Sequence, residues 1–599
     1  MKFKHIGITT IIGVIFAAIA AYLLQTHSAD VMSVIEGHNT FLNTSAYFDN
    51  CMSNPAGLLT WCGAYLTQFM ADATGIYILC ALWIGVIILT TFVMKLSTKW
   101  VILATIPAAM LLASNVGLEY WIFYLDTPGY LFTATIGVLV ALAGGWIVSK
   151  LSKWGIGAIM ALALYPLFGI YGLLANILGV IFICMDKDLD KKHKWINLAV
   201  AFIALIMPII WCSTVYHTSQ LSAAYTAGLQ DFKLIDKADN EQYVPYILLF
   251  LSLIILAVAG NYLDRCKKAI VWIAASVLLI VAEVAYVDHR WYNDENYECE
   301  LKMLKCIENE QWQNVIYTDN EYSCEPTRAI VMMRDLALFK LGRLGNQSFT
   351  FRNGGKMPES AISVSLAHTI APIIYYHYGK INYCNRWHVE HNVDHGWSAD
   401  SYRYMIKCAA INGEKELAAK YAGLLRTTRN YKDSEEVKIG LGLVSETDDM
   451  KAAKALMTYD DFLGSDRDLP ELYLLDNFAN DTTSNKSIKT LAIHSLLVQK
   501  DLRLFWPHFF HFAELLSENE AMPIHFQEAA YLLGKSKDSQ VNVDGLPFDQ
   551  QVKDTYMAFA AQMAQYNHLN KAAKRQVMNS RFGKTYFYYY YLGEDFTTY

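Results

Sequence analysis

The sequence predicts an all-α fold in which a polytopic bundle of about nine transmembrane helices is followed by a periplasmic helical solenoid. Two observations support this prediction. Apolar stretches of transmembrane length lie almost wholly before Asp288. From Trp291 onward the sequence is charged, aromatic and periodic as in helices. We therefore predict a transmembrane domain over residues 1–288 and an all-helical domain over residues 289–599.

The composition favours a lipid bilayer as the first partner. Hydrophobic residues make up 54% of the chain and charged residues only 18%, whereas soluble domains are usually about 25% charged. The formal net charge is -7, and the chain has no basic stripe or nucleic-acid-binding motif. Nucleic acid is therefore not an expected partner.

The individual spans follow from the requirement for roughly 20 apolar residues per crossing helix. The stretch from Trp154 to Met185 is too long for one span, and Pro166, Gly169 and Gly172 interrupt it, so we predict two short helices there. The other predicted spans are Ile6–Leu24, Gly75–Met94, Val101–Val116, Tyr130–Val148, Trp195–Trp211, Tyr246–Ala259 and Ala269–Val287.

The orientation follows from the basic residues, which accumulate in cytoplasmic loops. Lys and Arg fall in alternate loops, and the intervening segments 25–73 and 117–127 contain none. This pattern predicts an inner-membrane protein with a cytoplasmic N-terminus and a periplasmic C-terminal domain. The first apolar run has no small-x-small cleavage pattern directly after Leu24, which favours an uncleaved anchor.

The first exported loop is unusually long and carries an apolar stripe. The residues of this stripe recur at helical spacing after the turn Asn54–Gly57, which predicts an amphipathic helix along the outer membrane face. They are Leu58, Cys62, Tyr65, Leu66 and Phe69.

Acidic residues on the predicted exported side are the candidate catalytic groups. Glu36 and Asp49 lie in the first exported loop, and Glu119 and Asp126 lie in the second. Glu283 lies near the exported end of the last span, where an ionisable residue is a functional candidate. The alternative is that all five are ordinary interfacial residues.

The C-terminal domain shows a repeat of tetratricopeptide length. Turn residues Gly379, Gly413, Thr447 and Asp481 are each separated by 34 residues. The clearest unit is Tyr402–Leu425, in which Gly413 separates two helices. Such a solenoid presents a concave face that commonly binds protein segments, so periplasmic acceptor or partner proteins are expected there.

Three histidines stand on one face of a predicted helix in this domain. His388, His391 and His395 occupy positions i, i+3 and i+7, an arrangement that zinc can use. Gly396 is expected to end this helix, and the same segment fits the second helix of a repeat. These features favour solvated histidines over a metal site.

Five segments carry a resemblance to a known family: Asn54–Leu59, Tyr65–Phe69, Leu338–Gly345, Tyr375–Arg386 and Arg581–Tyr590. Together they are similar to a family of Bacteroidota inner-membrane proteins with repeat-like periplasmic tails. The resemblance covers most of the chain, although Ala56-Gly57 replaces the family's usual double glycine. Because that family has no assigned function, the resemblance implies a compartment and an architecture but no reaction.

The layout also resembles that of polyprenyl-lipid-dependent glycosyltransferases of the GT-C type, which include oligosaccharyltransferases. These enzymes have a cytoplasmic N-terminus and a long first exported loop with an amphipathic helix and a catalytic acid. A second acidic exported loop and a periplasmic C-terminal domain follow. This likeness concerns the layout alone, and layout does not establish function.

The resulting functional prediction is transfer of a sugar or oligosaccharide from a polyprenyl-phosphate carrier to an acceptor at the periplasmic face. Such chemistry needs a carboxylate to deprotonate or orient the acceptor hydroxyl. It also needs a side chain or a divalent metal ion to stabilise the leaving phosphate. We predict Asp49 and Glu119 as the catalytic carboxylates, with Glu36 and Asp126 as substitutes.

A second prediction is a non-enzymatic scaffold whose membrane half anchors a solenoid that gathers envelope proteins. Carboxylates that converge above a lipid-sized groove favour the enzyme, whereas dispersed carboxylates favour the scaffold. A transporter is the third alternative. The small number of ionisable residues in the spans argues against a proton-coupled one.

Overall fold

The computed structural model describes residues 3–151, 163–187, 189–217, 221–234, 237–263, 268–458, 466–536, 539 and 541–594. Within these ranges almost all regular structure is α-helical, which confirms the predicted all-α class. Two short strands pair antiparallel, β1 (Lys233–Leu234) with β2 (Lys237–Ala238), and Lys233 stands opposite Ala238.

The first part of the chain contains the apolar helices. They and the helices between them are α1 (Phe3–His27), α2 (Ala29–His38), α3 (Ser45–Met52), α4 (Gly57–Thr67), α5 (Ala73–Val93), α6 (Thr105–Val116), α7 (Tyr130–Lys150), α8 (Ile170–Met185), α9 (Lys191–Thr214), α10 (Val244–Leu263) and α11 (Ala269–Arg290). Among the described residues, six of these helices are long and apolar enough to cross a membrane: α1, α5, α7, α9, α10 and α11. The protein is therefore a multi-pass membrane protein.

Two of the predicted spans are shorter than a full crossing. They are the segment Val101–Val116, which contains α6, and α8. All but one of the α6 side chains are buried, so protein rather than lipid surrounds this helix, and a short helix is tolerated there. Most of the predicted helix that begins at Trp154 falls in residues 152–162, which lie outside the described residues.

Close packing of α7 against α8 explains the glycines of this helix pair. A methyl group added at Gly137 would lie 2.4 Å from the ring of Tyr171, and one added at Gly145 would lie 2.9 Å from Leu178. Small residues let helix backbones approach closely in membranes, where van der Waals packing drives association. The close fit of the two helix surfaces therefore fixes how α7 and α8 pack on each other.

The segment between α1 and α5 is helical and packs on the bundle. Asn39 connects α4 with the start of α7. Its side-chain amide donates to the Ala64 carbonyl at 3.3 Å, and its Oδ1 accepts from the Gly129 main-chain N at 2.8 Å. The predicted amphipathic helix corresponds to α4. Its small residues Gly63 and Ala64 face α7, and the apolar stripe lies on the opposite, less buried face.

The C-terminal half (residues 291–594) is a succession of short helices. They are α12 (Glu295–Glu308), α13 (Trp312–Glu321), α14 (Arg328–Lys340), α15 (Leu344–Gln347), α16 (Leu366–Thr369), α17 (Ala371–His377), α18 (Ile381–His395), α19 (Ala399–Ile411), α20 (Lys415–Leu425), α21 (Glu435–Gly440), α22 (Asp448–Ala455), α23 (Pro470–Ala479), α24 (Lys486–Gln499), α25 (Phe505–Glu514), α26 (Ile524–Gly534), α27 (Gln550–Gln565), α28 (Lys571–Phe582) and α29 (Tyr586–Leu592).

The predicted turn positions of the repeat all fall at helix boundaries in this half. Gly379 lies between α17 and α18, and Gly413 lies between α19 and α20, both with positive φ. Thr447 caps α22, and Asp481 lies between α23 and α24. The predicted unit Tyr402–Leu425 thus corresponds to α19 and α20, which pack on each other.

The hydrophobic core continues from the membrane helices into the C-terminal half. One cluster of buried side chains includes Leu24 of α1, Tyr120 of the α6–α7 loop and Tyr297 of α12. Hydrogen bonds cross the same boundary. The Tyr297 hydroxyl donates to the Glu119 carbonyl at 3.0 Å, and the Tyr120 hydroxyl donates to the Glu300 carboxylate at 2.9 Å. The two halves therefore share one core.

Candidate functional site

A large groove lies between α1, α6 and α11 within the membrane half. Its volume is about 810 Å³. Along α1 it extends from Ile12 to His27, a length of about 22 Å at the helical rise per residue. Most of its lining is apolar: Ile12, Ile15, Phe16, Ile19, Ala20, Leu23, Ile102, Ala109, Leu112, Ile280, Val284 and Val287. This membrane groove has the size and polarity to hold a lipid chain.

The polar groups of the membrane groove are few, and three of them are carboxylates. Glu283 of α11 lies inside it, and both oxygens of its carboxylate accept from the Thr105 hydroxyl, at 2.9 and 3.0 Å. Asp288 and Glu298 line the end of the groove where the C-terminal half begins. The sequence predicted Glu283 as a functional candidate, and its side chain lines the membrane groove.

Two lysines follow Glu298 on the same face of α12, at i+4 and i+7. Lys302 donates to the Tyr322 hydroxyl at 2.6 Å, and Lys305 pairs with Asp30 of α2 at 3.2 Å. A cavity of about 450 Å³ lies beside both lysines. Two cationic side chains thus share a helix face with Glu298, which lies at the end of the membrane groove that we call its mouth.

A small acidic pocket of about 50 Å³ lies further along α12, between α2 and the C-terminal half. Glu36, Glu308 and Asp400 supply its carboxylates. Glu36 is 6% exposed and accepts from the Asn430 side-chain amide at 2.7 Å and the Tyr431 hydroxyl at 2.8 Å. Burial raises the pKa of Glu36 to about 7. Burial and the charges of Asp400 and Glu36 raise the pKa of Glu308.

These carboxylates predict a pH dependence of stability. Folded Glu36 keeps its proton to about pH 7, whereas the unfolded side chain loses it near pH 4.5. The free energy of unfolding should therefore fall as the pH rises through this window, by at most about 3 kcal/mol. The charged or titratable groups that surround Glu36 are His38, Lys305, Glu308, Asp400, Arg403 and Tyr431.

Thermal unfolding of the purified protein between pH 4.5 and pH 8 measures this effect. The Glu36→Gln variant should lose part of the pH dependence, because glutamine does not titrate. Glu518→Gln, at an exposed carboxylate, should keep the profile of the unmodified chain. An unchanged profile in Glu36→Gln would show that Glu36 titrates normally.

The other three predicted catalytic carboxylates lie outside the acidic pocket. Asp49 is exposed on α3. Glu119 accepts from the Ser360 hydroxyl at 3.1 Å and from the Ala361 main-chain N at 3.4 Å. Asp126 is exposed in the α6–α7 loop, next to Gly396. Glu36 is thus the only one of the four that lines the acidic pocket.

His388 and His391 of α18 are buried and His395 is half-buried, so the prediction of solvated side chains was wrong. His388 and His391 are each 7% exposed, because α18 packs against α17 and α19. His388 stacks on Tyr404 with ring centroids 5.3 Å apart. His391 and His395 instead meet His368 of α16, and one ligand atom from each of the three lies within 4.8 Å of the others. We call these three residues the histidine cluster.

Three residues of these sites were not predicted from the sequence. Glu308 and Asp400 join Glu36 from helices that are more than 250 residues away along the chain. His368 joins the histidine cluster from a separate short helix. No periodicity links such positions, so a single sequence holds no signal that groups them.

Comparison with known proteins gives one match. A family model described as a family of unknown function (DUF6057) matches residues 4–593. No curated protein and no solved structure matches the chain. The matched range includes the membrane groove, the acidic pocket and the histidine cluster.

Proposed function

The chain belongs to this family of unknown function (DUF6057), and we propose that it is a membrane glycosyltransferase or oligosaccharyltransferase with a polyprenyl-phosphate-linked donor. The observation that carries the proposal is the membrane groove of about 810 Å³, with ionisable groups at its mouth. In this proposal the mouth faces the periplasm, and a periplasmic protein or glycan supplies the acceptor hydroxyl.

The proposed donor enters the groove from the bilayer. Ile19 and Val284 line the groove and are 57% and 63% exposed, so its sides are open to lipid. A prenyl chain along this wall gains the free energy of apolar contact. The phosphate then lies at the mouth, where Lys302 and Lys305 are the nearest cations on α12 and would balance its charge.

The proposed reaction needs one base. The acceptor oxygen attacks the anomeric carbon of the donor sugar, the bond from that carbon to the phosphate oxygen breaks, and the polyprenyl phosphate leaves. A carboxylate takes the acceptor proton. Glu36 is our first choice, since its pKa of about 7 suits a base near neutral pH. Asp49, Glu119 and Asp126 remain proposed alternatives.

Two matched substitutions on α1 test the donor site. Ile19 lines the groove, whereas Val14 faces lipid outside it and is 50% exposed. In cells that lack the chain, complementation with Ile19→Trp should give at least about 10-fold less transfer, because the indole fills the groove and displaces the donor. Val14→Trp should restore transfer. The readouts are glycan staining of envelope proteins and the amount of lipid-linked oligosaccharide.

The same assay tests whether the chain is a transferase. Loss of protein glycans with accumulation of the lipid-linked donor supports the transferase. Unchanged glycans and donor in cells without the chain would overturn it. Equal activity of Ile19→Trp and Val14→Trp would show that the donor binds elsewhere.

Four single substitutions then identify the base: Glu36→Gln, Asp49→Asn, Glu119→Gln and Asp126→Asn. We expect Glu36→Gln to abolish transfer while the lipid-linked donor accumulates, because an amide cannot accept the proton. If all four variants transfer normally, the base is none of the predicted carboxylates.

A specific observation favours the scaffold as a second candidate function. A polar groove of about 690 Å³ lies in the C-terminal half between residues 349–353 and the helices α28 and α29. Arg352, Arg575 and Lys584 line it together with Asn579 and Tyr588. Glu325 and Glu594 line it too, and Arg575 pairs with Glu594 at 2.7 Å, so the mixed charges of this surface suit a polar protein segment. If transfer is absent, a loss of envelope-protein complexes in an Asn579→Trp variant would support this function.

A further inference from the structure

We propose that His368, His391 and His395 bind a divalent transition metal ion, with Zn²⁺ as the expected ion. The site would lie at the junction between the C-terminal half and the loops of the membrane half. This inference is independent of the proposed transferase, because metal content can be measured without any activity.

The geometry of the histidine cluster fits such an ion. His391 and His395 are one turn apart on α18, so their rings point to the same side of the helix. His368 reaches the same point from α16, and the three ligand atoms lie within 4.8 Å of one another. Nitrogen ligands at about 2.1 Å from zinc stand about 3.4 Å apart in a tetrahedral site, so side-chain rotations close the cluster around an ion.

The ring nitrogens are available for coordination. Nδ1 of His368 is buried and has no hydrogen-bond partner among the described residues, a costly state that a metal ion would relieve. His395 is hydrogen-bonded to the main chain of Tyr124. A bond of this kind fixes a ring and leaves its other nitrogen for the metal.

The electrostatic surroundings also favour a cation. The carboxylates of Asp394, Asp468 and Glu390 act on the charge of His368 and would balance the charge of the ion.

The position of the site gives the ion a structural role. The His395 ring packs on Tyr124 of the α6–α7 loop at 5.4 Å, and the His391 ring packs on His38 of α2 at 5.7 Å. The ion would thus fix the orientation of rings that contact α2 and the α6–α7 loop of the membrane half. Three protein ligands also leave a coordination position for water or another ligand.

The test is the metal content of the purified full chain, prepared in detergent with a purification tag that contains no histidine. Mass spectrometry of the elements should find about one zinc ion per chain. His391→Gln should lose at least nine-tenths of it. The matched control is His388→Gln, on the same helix and equally buried at 7% exposure, which should keep its zinc.

A second measurement covers the case in which His391→Gln does not fold. Chelator-treated chain without substitutions should bind added Co²⁺ with visible absorption typical of nitrogen ligands, and Zn²⁺ should displace it. Metal-free chain should also unfold at a lower temperature than zinc-loaded chain. Absence of bound zinc and of cobalt absorption, or equal metal content in His391→Gln and His388→Gln, would overturn the proposal.

Discussion

Replacement of Glu471 by glutamine should lower the free energy of unfolding by about 3–5 kcal/mol. Glu471 of α23 and Arg328 of α14 form a buried ion pair, with side chains only 6% and 4% exposed. Two guanidinium nitrogens of Arg328 donate to the carboxylate, one of them at 2.9 Å, and a third donates to the Gly354 carbonyl at 2.9 Å. Without the carboxylate, the buried guanidinium loses the opposite charge of Glu471 and its charge-assisted hydrogen bonds to it.

Chemical or thermal unfolding of the purified chain in detergent measures this loss. The control is Asp448→Asn, which removes the partner of Lys451 in a pair whose side chains are 99% and 60% exposed. Water solvates both of these charges, so stability should change little. Equal stability of the two variants would show that the buried pair does not form.

Gly129→Ala should prevent assembly of the membrane half, with a loss of more than about 4 kcal/mol. Gly129 has φ of 75°, and a Cβ there would lie 2.0 Å from the main-chain N of Ala64 and 2.1 Å from the carbonyl carbon of Gly63. These atoms belong to the backbone of α4, so α4 and the start of α7 must move apart. The hydrogen bond from Asn39 to the Ala64 carbonyl and the one that Asn39 accepts from the Gly129 main-chain N would then be lost.

The matched control is Gly413→Ala, at a glycine with φ of 79° and no described atom within 4 Å of the added Cβ. This change adds the cost of a left-handed conformation, about 1 kcal/mol, without a clash. The measurements are the yield of monodisperse protein in detergent and its unfolding temperature. A similar, small loss in both variants would contradict the close contact between α4 and α7.

Local patterns in the sequence account for most of the helices. Apolar runs located the long spans such as α5 and α7, since a crossing helix must be apolar along its length. Turn residues such as Gly413 located helix boundaries in the C-terminal half, because a positive φ ends a helix. Local chemistry decides both kinds of feature, so a single chain is enough to find them.

Contacts between distant segments account for what the sequence did not predict. His391 was expected in solvent, but packing of α18 against α17 and α19 buries it and brings His368 to the same point. Glu36 was predicted as one acid among four, whereas tertiary packing surrounds it with Glu308 and Asp400. Burial, charge and pKa all depend on such neighbours.

The shared core also has a consequence for the order in which the two halves fold during synthesis. Tyr120 and Leu24 leave the ribosome long before Tyr297, and the three side chains end in one cluster. We therefore expect nascent α12 to dock on the surface of the inserted bundle before the later helices fold. The bundle would then act as the template on which the C-terminal half folds, so a defect in insertion should also cause a folding defect in the C-terminal half.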